Sequence, residues 1–560
     1  MGVCSSKGKE PLKLEPAPRD PIDRVAWKLH RAIHVDDVEQ VVKQMVIKVP
    51  SLATPRGISR GRFVKEILTQ KYEAMGYGDL LSDVLDCVPR GTLRDLMVAL
   101  LSEKLDFQAQ IMKRAMGGFG TDEAMLIAFL CTLDEEEIYA VQTAYAERYE
   151  ESLERAVLSK TSGKFKRTLL LAGCDAAPEC YAKVFHAAIK GVGTDCKAIV
   201  RLLVTLDHET IAKTRESYMR LFKKDLLRAL SSEVKVSGDF KKIVVALATK
   251  HPSRIQETIS DEQYEAEVNE MYDAVKGIGT DESKIIQLLC NKTPEQIEEF
   301  KFRYQMKYTE MLKDRLRVET TGIFENKYFR ETIQGLLTNR EEQIAVYLKE
   351  AFGGWLSSND DWGLISMLVH RTPEQMKEIR EQYMITYGND LVRDIRKNCK
   401  GDYEESLVAL VVERERTVAR ALRAAIRSWG DKSKQGSLIA LLTNRDEEMP
   451  TLRKAFMKEF NNTTLQGMIK KECSGLFEAC LLSLAMYTEP KKGKAYDKNY
   501  GVDTSGPSGV TGGGFPAASG TSTATRHQRS DSDASSSSFE KCVTGKNVET
   551  GSFRKGCERP

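Results

Sequence analysis

No stretch of this 560-residue chain approaches the roughly 18 uninterrupted apolar residues that a membrane-spanning helix needs. Its first residues, MGVCSSKGKEPLK, hold no apolar segment of the kind a secretory signal carries, so no such leader is expected. Net charge is nearly absent. The 84 basic and 81 acidic residues leave +3, which argues against a chain built chiefly to wrap nucleic acid. The 12 cysteines include no C-x-x-C pair and, without a leader, read as reduced cytosolic thiols. There is no P-loop, no nucleophile elbow, no H-E-x-x-H and no EF-hand loop, so the residues offer no support for an enzyme.

What is present is a repeat. Residues 113–130 read KRAMGGFGTDEAMLIAFL, residues 186–203 HAAIKGVGTDCKAIVRLL, and residues 272–289 YDAVKGIGTDESKIIQLL. Thr121, Thr194 and Thr280 are 73 and 86 residues apart. An amphipathic segment follows each loop: YEESLERAVLSK (149–160), KKDLLRALSSE (223–233) and TEMLKDRLRVE (309–319). A closing element comes next, as in GKFKRTLLLAG (163–173) and GDFKKIVVALAT (238–249). The closing element returns without a clear glycine loop at GTLRDLMVALLS (91–102), GDYEESLVALVV (401–412) and GLFEACLLSLAM (475–486). We therefore expect six units at 23–105, 106–176, 177–252, 253–341 (including a linker), 342–413 and 414–488.

Apolar residues within a unit recur at three- and four-residue spacing, which predicts amphipathic helices throughout and an all-α class. Each unit should hold about five short helices, with apolar faces also meeting between units. Tails at 1–22 and 489–560 flank the array. Of residues 501–540, 22 are Gly, Ser or Thr and none is Leu, Ile or Met, so this tail is expected to be disordered. Its RHQRSDSDASSSS (526–538) is a phosphorylation candidate, with an inert tail as the plain alternative.

The glycine loop carries the chemistry. In KGVGT (190–194), Gly191 and Gly193 permit positive φ, letting carbonyls turn toward one point. Thr194 suits the N-cap of the next helix, with Asp195 complementing its dipole. A plain glycine corner would explain one such loop. Two observations favour more than that. The loop recurs as GGFGT, KGVGT and KGIGT although any glycine corner would suffice mechanically, and Glu233 lies 39 residues after Thr194 as Glu319 lies 39 after Thr280. Loop carbonyls plus a bidentate carboxylate and waters suit a hard cation such as Ca²⁺. One carboxylate leaves the ion net positive, so an outside anion should tighten such a site.

On these motifs the chain resembles an annexin, with the K-G-x-G-T-type loop and its acid complete in two units. The resemblance implies tandem five-helix repeats forming a curved array that binds acidic phospholipid through Ca²⁺. It implies the carbonyls of Ile189, Gly191 and Gly193 with Glu233 as ligands in the third repeat, and Val275, Gly277 and Gly279 with Glu319 in the fourth. The second repeat keeps Met116, Gly118 and Gly120 but has Lys160 in the acid position, a degenerate metal loop. The fifth has WLSSND (355–360) with Asn398; the first has His34-Val35-Asp36 with Val88; the sixth keeps Glu472 but offers only SWGDKS (428–433). The spacing of repeats two to five suggests a four-repeat core with a divergent repeat added at each end.

A second membrane signal opens the chain. Met1-Gly2-Val3-Cys4-Ser5-Ser6 fits myristoylation of Gly2, with Cys4 a palmitoylation candidate, against the alternative of an ordinary polar terminus. One myristoyl chain binds at only about 10⁴ M⁻¹, so a second acyl chain or a Ca²⁺-dependent face is needed for stable attachment. Lys7, Lys9 and Lys13 add attraction to anionic lipid. His30 and His34 are spaced for zinc, but a coincidental pair is the preferred reading. Cys174 and Cys180 read as free thiols, and Trp355, Trp362 and Trp429 as core packing rather than lipid insertion. Two functions remain. One is a Ca²⁺-regulated peripheral binder on the cytosolic face of a membrane, the plasma membrane for preference. The other is an acylated membrane-skeleton protein whose degenerate loops contact a cytoskeletal partner.

Overall fold

The computed structural model describes residues 16–49, 60–117, 120–190, 193–233, 238–249, 258–276, 280–320, 327–353, 358–428, 432–443, 445 and 448–486. They are helical, with no strand among them. From 177 the helices run Ala177–Lys190, Cys196–Thr205, His208–Phe222, Leu226–Glu233 and Asp239–Ala248. The same succession of five is found from Lys104–Ala115 to Gly163–Gly173, from Asp261–Ala274 to Lys327–Leu336, from Arg340–Ala351 to Gly401–Val411, and from Arg414–Arg427 to Gly475–Ala485. The described residues between 21 and 101 are also helical, with π-helical turns at Lys43–Lys48 and Phe63–Leu68.

Local chemistry sets these boundaries. In units 2 to 5 the third helix opens on an oxygen cap: Asp134 and Thr293 close capping boxes with Glu137 and Gln296, Thr372 does so with Gln375, and Asp207 accepts from Thr210 N–H. It closes on a left-handed residue, Glu150, Lys223, Thr309 or Gly388, which turns the chain sharply into the fourth helix. One contact recurs in every unit between the first helix and an aromatic ring further along. Tyr272 stacks on Tyr308 at 4.0 Å, His186 on Phe222 at 3.8 Å and His30 on Tyr77 at 4.0 Å. Lys113, Lys349 and Arg423 instead place a cation over Tyr149, Tyr387 and Phe460 at 5.2, 5.4 and 4.2 Å. His30 is thus a packing residue that also meets the Tyr72 hydroxyl at 3.2 Å.

The units pair in a nested order. Helix Cys196–Thr205 packs on Lys327–Leu336 while Asp239–Ala248 packs on Glu282–Cys290, so the second and fifth helices of neighbours exchange reciprocally. The same exchange joins Glu123–Leu130 to Gly401–Val411 and Gly163–Gly173 to Asp361–Leu368. Outermost, Thr92–Leu101 packs on Lys432–Thr443, and Gly475–Ala485 on Lys43–Lys48. Units 3 and 4, then 2 and 5, then 1 and 6 are therefore partners, and one continuous apolar core runs through all of them. Close approach matters here, since a methyl at Gly335 would stand 2.8 Å from Val204 Cγ1. Ion pairs tie successive pairs together. Arg201 meets Asp360, and Arg414 grips Glu137 with both terminal nitrogens at 2.7 and 3.1 Å.

Candidate metal centres on the interhelix loops

Each candidate site is framed by the end of a first helix, the loop after it, and the end of the fourth helix. The loop is closed by one backbone bond in each case: Asp122 N–H to the Ala115 carbonyl (2.8 Å), Asp195 to Ala188 (2.8 Å), Asp281 to Ala274 (2.9 Å) and Asp360 to Ala351 (2.8 Å). These aspartates are the N-caps, and in the second, third and fourth units the threonines before them are not. Asp195 accepts from Ala198 N–H and Asp281 from Lys284 N–H. The expectation for Thr194 is thus corrected: a short carboxylate reaches the exposed N–H groups one residue later. Thr280 instead donates to Glu282 at 2.6 Å.

The side chains of Met116, Ile189 and Val275 are buried, which fixes the backbone that would present their carbonyls. Gly120 and Gly193 hold φ of 110° and 91°, a region that only glycine enters without strain. Gly118, Gly191, Gly277 and Gly279 lie outside the described residues, as do the side chain of Glu233, Trp355, Trp429, Gly2 and Cys4.

The fourth loop tests whether a cation fits. Arg315 Nη2 donates to the Val275 carbonyl at 3.1 Å and lies 3.1 Å from Glu319 Oε1. A loop carbonyl and the acid from the fourth helix therefore both reach one positively charged nitrogen. Both are hard oxygen donors of the kind Ca²⁺ takes. Among the described residues no group of three or more His, Cys, Asp or Glu is placed to hold a metal, so a site here must draw on backbone oxygen.

The chain belongs to the annexin family. The family model described as Annexin matches residues 107–172, 181–247, 264–328, 343–410 and 417–484. Mouse annexin A13 is 31% identical over 310 residues, covering 55% of this chain and 94% of its own length. Chicken annexin A6 is 24% identical over 466 residues, covering 75% of this chain and 67% of its own. The solved structure of annexin III superposes with a TM-score of 0.50 at 25% identity, over 55% of this chain and 93% of its own. Annexins are known for calcium-dependent phospholipid binding, and Ca²⁺ is the cofactor of the family. No described helix of this annexin is long and apolar enough to cross a membrane.

The remaining loops of this annexin depart from the motif in separate ways. Lys160 stands exposed at the end of helix Leu153–Lys160, and the cap of its loop, Asp122, is held by Lys434 at 2.9 Å and by the Ser437 hydroxyl at 2.6 Å. In the fifth unit the Asn359 amide donates to the Asn398 carbonyl at 2.8 Å, closing the loop onto the fourth helix with a neutral donor. Glu472 lies 3.7 Å from Lys471, and Val88 is buried and offers no side-chain oxygen. Trp362 packs against the core beneath Arg167, and Cys174 and Cys180 are buried free thiols whose pKa values burial pushes up. The sequence reading missed Arg315 and Asn359. The signal for Arg315 was its place four residues before Glu319, on the same helix face.

Proposed function

We propose that this annexin docks on acidic phospholipid through Ca²⁺ held in its third and fourth repeats. The ligands are the carbonyls of Ile189, Gly191 and Gly193 with Glu233, and those of Val275, Gly277 and Gly279 with Glu319. The observation that carries this is the convergence of the Val275 carbonyl and the Glu319 carboxylate on one cationic nitrogen. The bound ion, with one carboxylate, keeps positive charge to attract a lipid phosphate. Glu233→Gln with Glu319→Gln should abolish Ca²⁺-dependent co-sedimentation with phosphatidylserine vesicles. If the double variant still pellets as Ca²⁺ rises, the ligand assignment is wrong.

Residues 23–105 and 414–488 act as outer repeats around a four-repeat core, a reading supported by the nested pairing. Acylation at Gly2 and Cys4 holds the protein near the cytosolic face of the plasma membrane, and the loops set the tighter, ion-dependent contact. The Met116, Gly118 and Gly120 loop is a degenerate site. A second role, linking membrane to a cytoskeletal protein, is favoured by the fifth loop, where the Asn359 amide takes the Asn398 carbonyl directly and no carboxylate stands in the acid position.

A further inference from the structure

We propose that Arg315 is a built-in occupant of the space between the Val275 carbonyl and the Glu319 carboxylate, a guanidinium that holds these two candidate ligands together until Ca²⁺ displaces it. The fourth site then fills at higher Ca²⁺ than the third, giving two thresholds in one chain. This inference rests on the ligand assignment above.

Three observations carry it. First, one terminal nitrogen of Arg315 meets both candidate ligands, the Val275 carbonyl and the Glu319 carboxylate, each at 3.1 Å. A dication bound to those oxygens would have to displace the guanidinium from them. Second, the arginine is incompletely satisfied. Its Nε is buried and makes no hydrogen bond, so its hold on the site runs through the terminal nitrogen that meets the two ligands. The pair is also partly open to water, with 30% and 21% of the two side chains exposed. Partly exposed pairs are weak enough for a divalent ion to displace.

Third, the slot itself is peculiar to this unit. The corresponding fourth residue of the fourth helix is Asp83, Ala156, Ala229, Asp394 or Met468 elsewhere. Asp83 and Asp394 accept the hydroxyls of Tyr72 (2.8 Å) and Tyr383 (2.7 Å), so there the slot serves the unit's interior. In the fourth unit the matching Tyr304 hydroxyl donates to Glu310 at 3.0 Å instead. That leaves Arg315 to turn toward the loop. In the third unit, Ala229 has no cation to bring to Glu233.

The test uses the full chain carrying Glu233→Gln, so that the fourth site is the complete one remaining. Into it go Arg315→Ala, the residue the third unit has there, and Arg315→Gln. Co-sedimentation with phosphatidylserine–phosphatidylcholine vesicles is followed as Ca²⁺ is raised. Removing the competing bond and the adjacent positive charge should lower the midpoint about tenfold, the shift that about one pKa unit's worth of interaction produces. A metal-free readout accompanies it. Thermal unfolding of Arg315→Gln, Glu319→Gln and the double variant without Ca²⁺ should show the two residues coupled. A midpoint that stays or rises in both Arg315 variants, or no metal-free coupling, overturns the proposal. Failure of the underlying ligand reading looks different: Glu319→Gln in the same background would leave Ca²⁺-dependent pelleting intact.

Discussion

Lys160→Glu should create a third ion site. The frame is already present: Met116 is buried, Gly120 holds positive φ, and Asp122 N–H closes the loop on Ala115 at 2.8 Å. Only the charge at the end of helix Leu153–Lys160 is wrong. Exchanging an ammonium for a carboxylate changes the charge facing a dication by two units. At a separation of about 5 Å in water this is worth roughly 3 kcal/mol, about a hundredfold in affinity. Two effects oppose it. A carboxylate at a helix C-terminus loses about 0.3–1 kcal/mol against the dipole. Lys434, paired with Asp122 at 2.9 Å, adds a positive charge near the loop. A net gain of about 2 kcal/mol remains. Calorimetry in the Glu233→Gln, Glu319→Gln background, with phosphatidylserine vesicles, should show Ca²⁺ uptake that this background lacks. Unchanged stoichiometry together with weaker Ca²⁺-independent lipid binding would refute the reasoning, because Lys160 would then be serving as a phosphate contact.

Gly335→Ala should destabilise the pairing of the third and fourth units by about 1–3 kcal/mol, read from denaturant unfolding, because the new methyl would meet Val204 Cγ1 at 2.8 Å. Glu459 offers a pH test. Burial pushes its carboxyl up, but hydrogen bonds from Arg416 and Arg420 outweigh that and hold it below its ordinary value. A depressed folded value means the contribution is present above the unfolded pKa of about 4.3 and is lost as pH falls through the folded one. Glu459→Gln should therefore cost roughly 1–2 kcal/mol at pH 7 and little near pH 2, which urea titrations at both pH values would check.

What could be read along the chain was whatever depends on neighbours in sequence. The GGFGT, KGVGT and KGIGT loops and the helical spacing of apolar residues are local, because backbone angles and caps are decided within a few residues. Even there the choice of Asp195 over Thr194 as cap needed coordinates, since either oxygen suits the position by type. The family model matches five segments between residues 107 and 484, while residues 23–105, which include the π-helical turns, lie outside them. The nested partnership of units 1 with 6, 2 with 5 and 3 with 4 was decided only in three dimensions. Second and fifth helices all present similar apolar faces, so pattern alone does not say which face meets which. The same holds for Arg315. Its distance from Glu319 is a matter of helix pitch and legible in sequence, but the Val275 carbonyl lies 40 residues away and is brought to it by tertiary packing.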